Sequence, residues 1–212
     1  MKAAKTSTAA AADPAKPVRA VDRIRESAQE LFYREGIRAV GVDEIVNRAG
    51  VTKPSLYRSF PSKDELAAAY LRDYDEAFWQ RFDQGAAEYP DDPRAQLRAY
   101  LESLARRATQ AGYRGCGLTN AAIEYPEIGH PARVVAETNK RALRKRLVSI
   151  AKAIGAADPE TLGDGLLLLI EGTFVSGQLF GKGGPGRSLV EVAERLIDAS
   201  VARAKKKIRP RN

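Results

Sequence analysis

Apolar residues recur at intervals of three and four along this chain, the spacing that places them on one face of an α-helix. The first such helix ends at Gly36, and further helices follow between glycine, proline and capping residues. No stretch alternates between apolar and polar residues as a half-buried strand would. The pattern predicts an all-α fold of nine helices without a sheet.

Residues 41–63 form the most specific part of this pattern, a helix followed by a glycine-bearing turn and a second, shorter helix. Gly50 can adopt the left-handed conformation that ends a helix, and Leu56 and Phe60 would anchor the short helix to the core. Its outer side and the residue Lys63 beyond it carry groups suited to base edges and phosphates. We expect DNA contacts from seven residues, which are Thr52, Lys53, Pro54, Ser55, Tyr57, Arg58 and Lys63.

These residues resemble the helix-turn-helix domain of the TetR/AcrR family of bacterial transcriptional regulators. The matching elements are Asp43-Glu44-Ile45, Arg48-Ala49-Gly50-Val51, Leu56-Tyr57, Phe60 and Ser62-Lys63-Asp64-Glu65-Leu66. The resemblance implies an N-terminal three-helix DNA-binding domain and a larger C-terminal helical domain for ligand binding and dimerisation. The expected boundaries are a flexible tail over residues 1–17, the DNA-binding domain over 18–64, the effector-binding and dimerisation domain over 65–204, and a basic tail over 205–212.

Composition agrees with a nucleic-acid partner, because the formal net charge is +8 and the pI is near 9.6. The single cysteine and single histidine exclude a disulfide framework or a Cys/His zinc site within one chain. The segment Gly181–Gly186 lacks the ending of a phosphate-binding loop, and no nucleophile–base pair suggests an enzyme. We therefore expect no cofactor and no catalysis. No apolar run reaches membrane-spanning length, so a cytoplasmic protein is expected.

The middle of the chain should hold the effector, since helices there surround a small-molecule pocket in the family that the chain resembles. The candidates combine aromatic, apolar and polar side chains. They are Trp79, Phe82, Tyr100, Leu104, Tyr113, Cys116, Asn120, Glu124 and Phe174. Taken singly, an aromatic residue of this kind is more often plain core than a ligand contact. The carboxylate of Glu124 needs a partner, which could be a cationic ligand, Arg114 or Arg133.

The last two predicted helices would pair with those of a second copy, as the resemblance implies. The expected interface consists of Leu162, Leu166, Leu169, Leu189, Val192 and Leu196. Gly163, Gly165, Gly172 and Gly177 stand in the same region, where each would cost an exposed helix about 1 kcal/mol relative to alanine. Close approach of helices would explain them.

The sequence thus predicts a homodimeric repressor that a small organic effector releases from an inverted-repeat operator in double-stranded DNA. One alternative is a basic DNA-coating or architectural protein without an effector. Another is a redox-responsive regulator that acts through the thiol of Cys116, although a buried structural thiol is the commoner role.

Overall fold

The computed structural model describes residues 19–208, which form nine α-helices, two short 3-10 helices and no strand. The α-helices are α1 (Ala20–Glu35), α2 (Val42–Ala49), α3 (Lys53–Ser59), α4 (Lys63–Glu88), α5 (Pro93–Ala108), α6 (Gly117–Glu124), α7 (Pro131–Ala153), α8 (Pro159–Phe180) and α9 (Leu189–Ile208). The predicted fold class, an all-α chain with an N-terminal helix-turn-helix domain and a larger helical domain, is confirmed.

The two predicted tails lie mostly beyond this range. Residues 1–17 are outside the described residues, as are residues 209–212. The basic tail predicted from residue 205 begins inside a helix, because α9 continues through Ile208. Among the described helices, none is both long enough and apolar enough to cross a bilayer.

The first three helices pack around a small apolar core to which α1 contributes Ile24 and Phe32, α2 contributes Ile45 and α3 contributes Leu56. Gly50 ends α2 in the left-handed conformation, with φ 60° and ψ 43°, and the Val51 N–H donates to the Val46 carbonyl at 3.0 Å. This short turn sets the angle between α2 and α3.

The helix α4 joins the two parts of the molecule. Its N-terminus is capped by Ser62, whose hydroxyl accepts a hydrogen bond from the Glu65 N–H at 3.1 Å. Along its 26 residues it packs against α1 at one end and against α5, α6 and α7 further on. A change in the position of α4 therefore moves the first three helices relative to the rest.

The remaining helices form a second core in which α8 packs on α7, α5 and α9. Three of the four glycines in α8 lie where other residues come close. A Cβ built on Gly163 would be 2.6 Å from Val148, one on Gly165 would be 2.8 Å from Leu196, and one on Gly177 would be 2.7 Å from Tyr113. Close approach therefore explains three of these glycines within a single chain.

The segment Gly181–Gly186 after α8 is rich in glycine, a composition that favours a flexible link. It forms two 3-10 helices, Gly181–Gly183 and Pro185–Ser188, and Gly186 is buried against Ala108 and Thr173. Ser188 belongs to the second of these turns, and α9 begins at the next residue. Packing on α8 and α5 orders a segment whose composition alone favours mobility.

Candidate functional site

The helix α3 presents one apolar side to the core and one polar side to solvent. Leu56 is fully buried and Phe60, which caps the helix, is nearly so. Lys53, Arg58 and Tyr57 are exposed, and Tyr57 keeps 47% of its surface accessible although it is aromatic. Six of the seven residues predicted to touch DNA thus lie on or next to α3, with Thr52 and Pro54 exposed at its start and Ser55 half-buried.

Some of these donors already have partners within the chain. The Lys53 ammonium lies 2.7 Å from a carboxylate oxygen of Asp43 on α2, and this hydrogen bond and the opposite charge raise the pKa of Lys53. The Arg58 guanidinium donates to the Ser55 hydroxyl at 3.4 Å. Asp43 is exposed and the contact of Arg58 with Ser55 is long, so a phosphate could compete for either cation with little loss.

Thr52 stands at the N-cap position of α3, but its hydroxyl makes no capping hydrogen bond. That hydroxyl is exposed. The side chain is therefore not used within the helix and remains available for the predicted contact with DNA.

Lys63 is less open than the other predicted contacts. Its ammonium donates to the Arg38 carbonyl at 3.3 Å, in the turn between α1 and α2. Partial burial lowers its pKa, against the opposing charges of Asp64 and Glu124. The structure thus gives Lys63 a role in holding the start of α4 against the turn between α1 and α2.

Sequence reasoning missed Arg23, which lies on α1. Its guanidinium donates to the Ala49 carbonyl at 3.0 Å and to the Gly50 carbonyl at 3.4 Å, where α2 ends. Two carbonyls without helical partners are satisfied in this way. No local pattern could have indicated it, since the two ends of the contact are 26 positions apart.

Most of the predicted effector residues pack against one another in the core. Phe82 and Tyr100 have ring centroids 4.5 Å apart, and Trp79 meets Phe82 at 5.6 Å. Leu104 and Phe174 are also buried. For these five residues the structure supports the plain core role that the sequence left open.

Cys116 is 1% exposed and lies at the N-terminus of α6. The Lys140 ammonium is 3.5 Å from its sulfur and forms an ion pair at 2.8 Å with Glu171. Glu171 in turn accepts from the Thr119 hydroxyl at 2.8 Å. The thiol is thus part of a small polar cluster between α6, α7 and α8.

Glu124, at the end of α6, is bound by Arg38, which is not one of the partners expected from the sequence. Its carboxylate accepts from the Arg38 backbone N–H at 2.8 Å, and the Arg38 guanidinium donates to the Glu124 carbonyl at 3.0 Å. Arg133 instead pairs with Glu137, and the Arg114 carbonyl accepts from the Asn120 amide at 2.8 Å. We call this pair the Arg38–Glu124 contact; it joins the DNA-binding domain to α6.

An open cavity of about 780 Å³ lies between α1, α4 and the segment that ends α5 and leads to α6. Tyr113, one of the predicted effector residues, lies in its wall together with Arg81 and Arg107. This volume is within the range of about 300–1,000 Å³ typical of small-molecule sites.

The predicted dimer residues divide into two groups. Leu162, Leu166 and Leu189 are buried inside the chain, and Leu169 is half-buried, whereas Val192 and Leu196 are exposed on α9. The exposed apolar surface of α8 lies on another side of that helix. It consists of Leu168, Val175, Leu179 and, at the end of the helix, Phe180.

We call this exposed set on α8 and α9 the apolar stripe. The periodicity of α8 could not identify it from sequence, because the helix is apolar around most of its circumference. Only packing shows which side of such a helix the chain itself covers. Gly172 lies on the same side as the stripe and has no neighbour within 4 Å of the position of a Cβ.

Comparison with known proteins finds a match to the family model for bacterial regulatory proteins of the tetR family over residues 24–70. The solved structure of a TetR transcriptional regulator from Streptomyces avermitilis is similar at 31% identity, with a TM-score of 0.76, covering 86% of this chain and 98% of that one. The transcriptional regulator AcuR of Cereibacter sphaeroides is 29% identical over 159 residues, 71% of this chain and 72% of AcuR.

The HTH-type transcriptional activator FasR of Mycolicibacterium smegmatis is 41% identical over 78 residues, 37% of this chain. The match covers 35% of FasR, so this chain aligns with about a third of that relative.

Proposed function

This chain belongs to the TetR family of bacterial regulatory proteins and is a transcriptional regulator, and from that premise we propose that it is a homodimeric repressor released from a palindromic operator by a small organic effector. The observation that carries the proposal is the outer surface of α3. Tyr57, Lys53 and Arg58 are exposed there on a helix whose other side is buried. Such a helix fits the major groove, where arginine can pair with guanine in two places.

One helix of seven residues contacts only a few base pairs, so specific binding requires two. The apolar stripe supplies a surface for pairing two copies. Leu168, Gly172, Val175 and Leu179 follow one another at intervals of four, three and four along α8. They therefore lie on one face, and the open space at Gly172 would let a partner helix approach closely.

In this proposal Leu162, Leu166 and Leu189 support the interface from within, while the apolar stripe makes the contact. The proposed domain boundaries remain 18–64 for DNA binding and 65–204 for effector binding and dimerisation.

Effector binding would act through the elements that touch the DNA-binding domain. These are α4, which packs on α1, and α6, which is fixed to it by the Arg38–Glu124 contact. An effector that favours a different arrangement of these helices changes the separation of the two α3 helices, which a palindrome holds about 34–36 Å apart. A difference of about 1–3 kcal/mol in effector affinity between the two arrangements is sufficient for regulation.

The test is selection from randomised duplex DNA with the purified protein, followed by sequencing of the bound pool. We expect enrichment of a short inverted repeat. An unenriched pool, bound only at low salt, would instead favour a DNA-coating protein that holds phosphates without reading bases.

A regulator that responds to oxidation of Cys116 is the second candidate, favoured by the Lys140 ammonium 3.5 Å from the sulfur. Burial of the residue, however, withholds its sulfur from oxidants in solution. Peroxide treatment of the wild type and of Cys116→Ser distinguishes the candidates. Operator release in the wild type alone would establish the thiol-based mechanism.

A further inference from the structure

The cavity between α1, α4 and the end of α5 has an uneven distribution of charge. On the α1 side, Glu30 pairs with Arg34 and Arg48, and on α4 the Asp73 carboxylate lies 3.5 Å from Arg25. These carboxylates are therefore neutralised by exposed cations. The remaining carboxylate of the wall, that of Glu26 on α1, belongs to an exposed residue, so solvent screens its charge.

The opposite side holds two arginines without a carboxylate. Neither Arg81 on α4 nor Arg107 on α5 forms an ion pair within residues 19–208, and the Nε atom of each is buried without a hydrogen-bond partner. Arg81 lies over the Tyr74 ring at 5.6 Å, a contact that leaves its N–H groups available. Half-buried guanidinium groups lose hydration, and a bound anion would replace it.

Aromatic side chains border these arginines. Tyr74 and Tyr33 are stacked with ring centroids 6.3 Å apart, and both line the cavity. The Tyr113 hydroxyl is buried and has no hydrogen-bond partner. Burial raises the pKa of Tyr113 above its usual range, an effect that the charge of Arg107 only partly offsets, so the hydroxyl remains a donor at neutral pH.

We propose that this cavity binds a small aromatic carboxylate, with its carboxylate on Arg81 and Arg107 and its ring beside Tyr74 and Tyr113. Paired N–H donors of arginine match the two oxygens of a carboxylate. A neutral or cationic compound would leave both guanidinium groups unpaired. The assignment of this ligand as the effector rests on the proposed function, whereas the binding site itself does not.

The location gives the ligand direct contact with the DNA-binding domain. The cavity wall includes Tyr33 of α1, whose hydroxyl donates to the Gly115 carbonyl at 3.4 Å and accepts from the Arg114 N–H at 3.2 Å. A ligand held between α1 and α4 therefore acts on the same junction that sets the orientation of α3. It requires no rearrangement of the buried aromatic cluster around Tyr100.

The experiment is isothermal titration calorimetry of the full chain with naphthalene-2-carboxylate and with its neutral analogue, naphthalene-2-carboxamide. The variants are Arg81→Gln and Arg107→Gln, with Arg106→Gln as a matched control, since Arg106 precedes Arg107 on α5, is exposed and does not line this cavity. Ala77→Phe, which keeps both arginines and fills the cavity from α4, tests the position. Melting temperatures of all variants confirm folding.

We expect saturable binding of the carboxylate and at least about tenfold weaker binding of the carboxamide, as loss of a charge-assisted hydrogen bond implies. Arg81→Gln and Arg107→Gln should each lower the affinity for the carboxylate by about tenfold or more. Ala77→Phe should abolish its binding, and Arg106→Gln should leave its affinity unchanged. Equal affinity for the two compounds, full affinity in Arg81→Gln and Arg107→Gln, or no binding of the carboxylate would each overturn the site.

These outcomes are independent of DNA. A protein that selects an inverted repeat but binds no carboxylate would refute only the cavity assignment. A protein that binds the carboxylate as expected but enriches no operator would refute only the proposed function.

Discussion

At the scale of single residues, Tyr57 is the aromatic side chain on α3 that the chain leaves open, and its hydroxyl is free to donate to a phosphate. Its exposure means that removal should not disturb the core. We expect Tyr57→Ala to weaken operator binding by about tenfold or more, as loss of a hydrogen bond to a charged oxygen implies, with little change in melting temperature. Fluorescence anisotropy with labelled operator measures the loss.

Tyr89→Ala provides the control, because Tyr89 is exposed to a similar degree at the end of α4, remote in sequence from α3. It should bind operator as the wild type does. Equal affinity of both variants and the wild type would remove Tyr57 from the DNA interface.

Single residues also show which contacts could be predicted from the sequence and which could not. The outer positions of α3 follow from helical spacing, so Lys53, Tyr57 and Arg58 could be placed on one surface without a structure. The Arg38–Glu124 contact could not, because its residues are 86 positions apart and neither belongs to a repeating pattern. Tertiary packing alone brings such pairs together.

At the scale of helices, local signals predicted starts and ends well. Ser62, Asp92 and Asp158 each cap the helix that follows, as their side-chain oxygens accept from backbone N–H groups. The orientation of α8 was not predictable in the same way. Its apolar residues surround the helix, so the pattern did not tell Leu166, which is fully buried, from Leu168, which is 72% exposed.

Gly163 offers a test of helix packing that does not depend on dimerisation. An added Cβ would lie 2.6 Å from a Val148 methyl and 2.9 Å from the Val148 backbone nitrogen, so the backbones of α7 and α8 must move apart. We expect Gly163→Ala to lower the free energy of unfolding by about 1–3 kcal/mol despite its better helix propensity. Urea denaturation, monitored by circular dichroism, measures this free energy of unfolding.

Gly172→Ala is the matched comparison within the same helix, since nothing lies within 4 Å of its added Cβ. At protein concentrations where the chain is monomeric it should be as stable as the wild type, or more stable by up to about 1 kcal/mol. If both alanine variants unfolded alike, close approach of α7 to Gly163 would not be the cause.

The apolar stripe gives the second prediction at this scale. A charge at Leu168 costs nothing within the chain, because the side chain faces solvent, but it would be buried without a partner between two copies. We expect Leu168→Glu to be a folded monomer by analytical ultracentrifugation and to lose specific operator binding. If Leu168→Glu remained a dimer and bound the operator as tightly as the wild type does, the interface would lie elsewhere.

Ile123→Glu is a suitable control, because Ile123 is 72% exposed, as Leu168 is, and belongs to α6. It should remain dimeric. Leu166→Arg is less informative, since a charge at that buried position would unfold the chain whether or not it dimerises.

At the scale of the whole molecule, the proposed dimer joins two α3 helices through α4 and the packed helices of the larger domain. The formal charge of +8 favours any DNA, so charge alone confers affinity without specificity. Specificity would come from the fixed separation of the two reading surfaces. Because α4 packs on α5, α6 and α7 as well as on α1, that separation is a property of the assembled fold.

The fixed separation predicts how the operator tolerates insertions. Inserting about five base pairs between the half-sites turns one of them to the opposite side of the duplex, since a helical turn is about 10–10.5 base pairs. We expect binding to fall to the level of a single half-site, and to recover in part when a full turn is inserted. Anisotropy titrations at one salt concentration make the series comparable. If affinity were indifferent to spacing, the two α3 helices would bind independently, and a ligand could not release the operator by changing the distance between them.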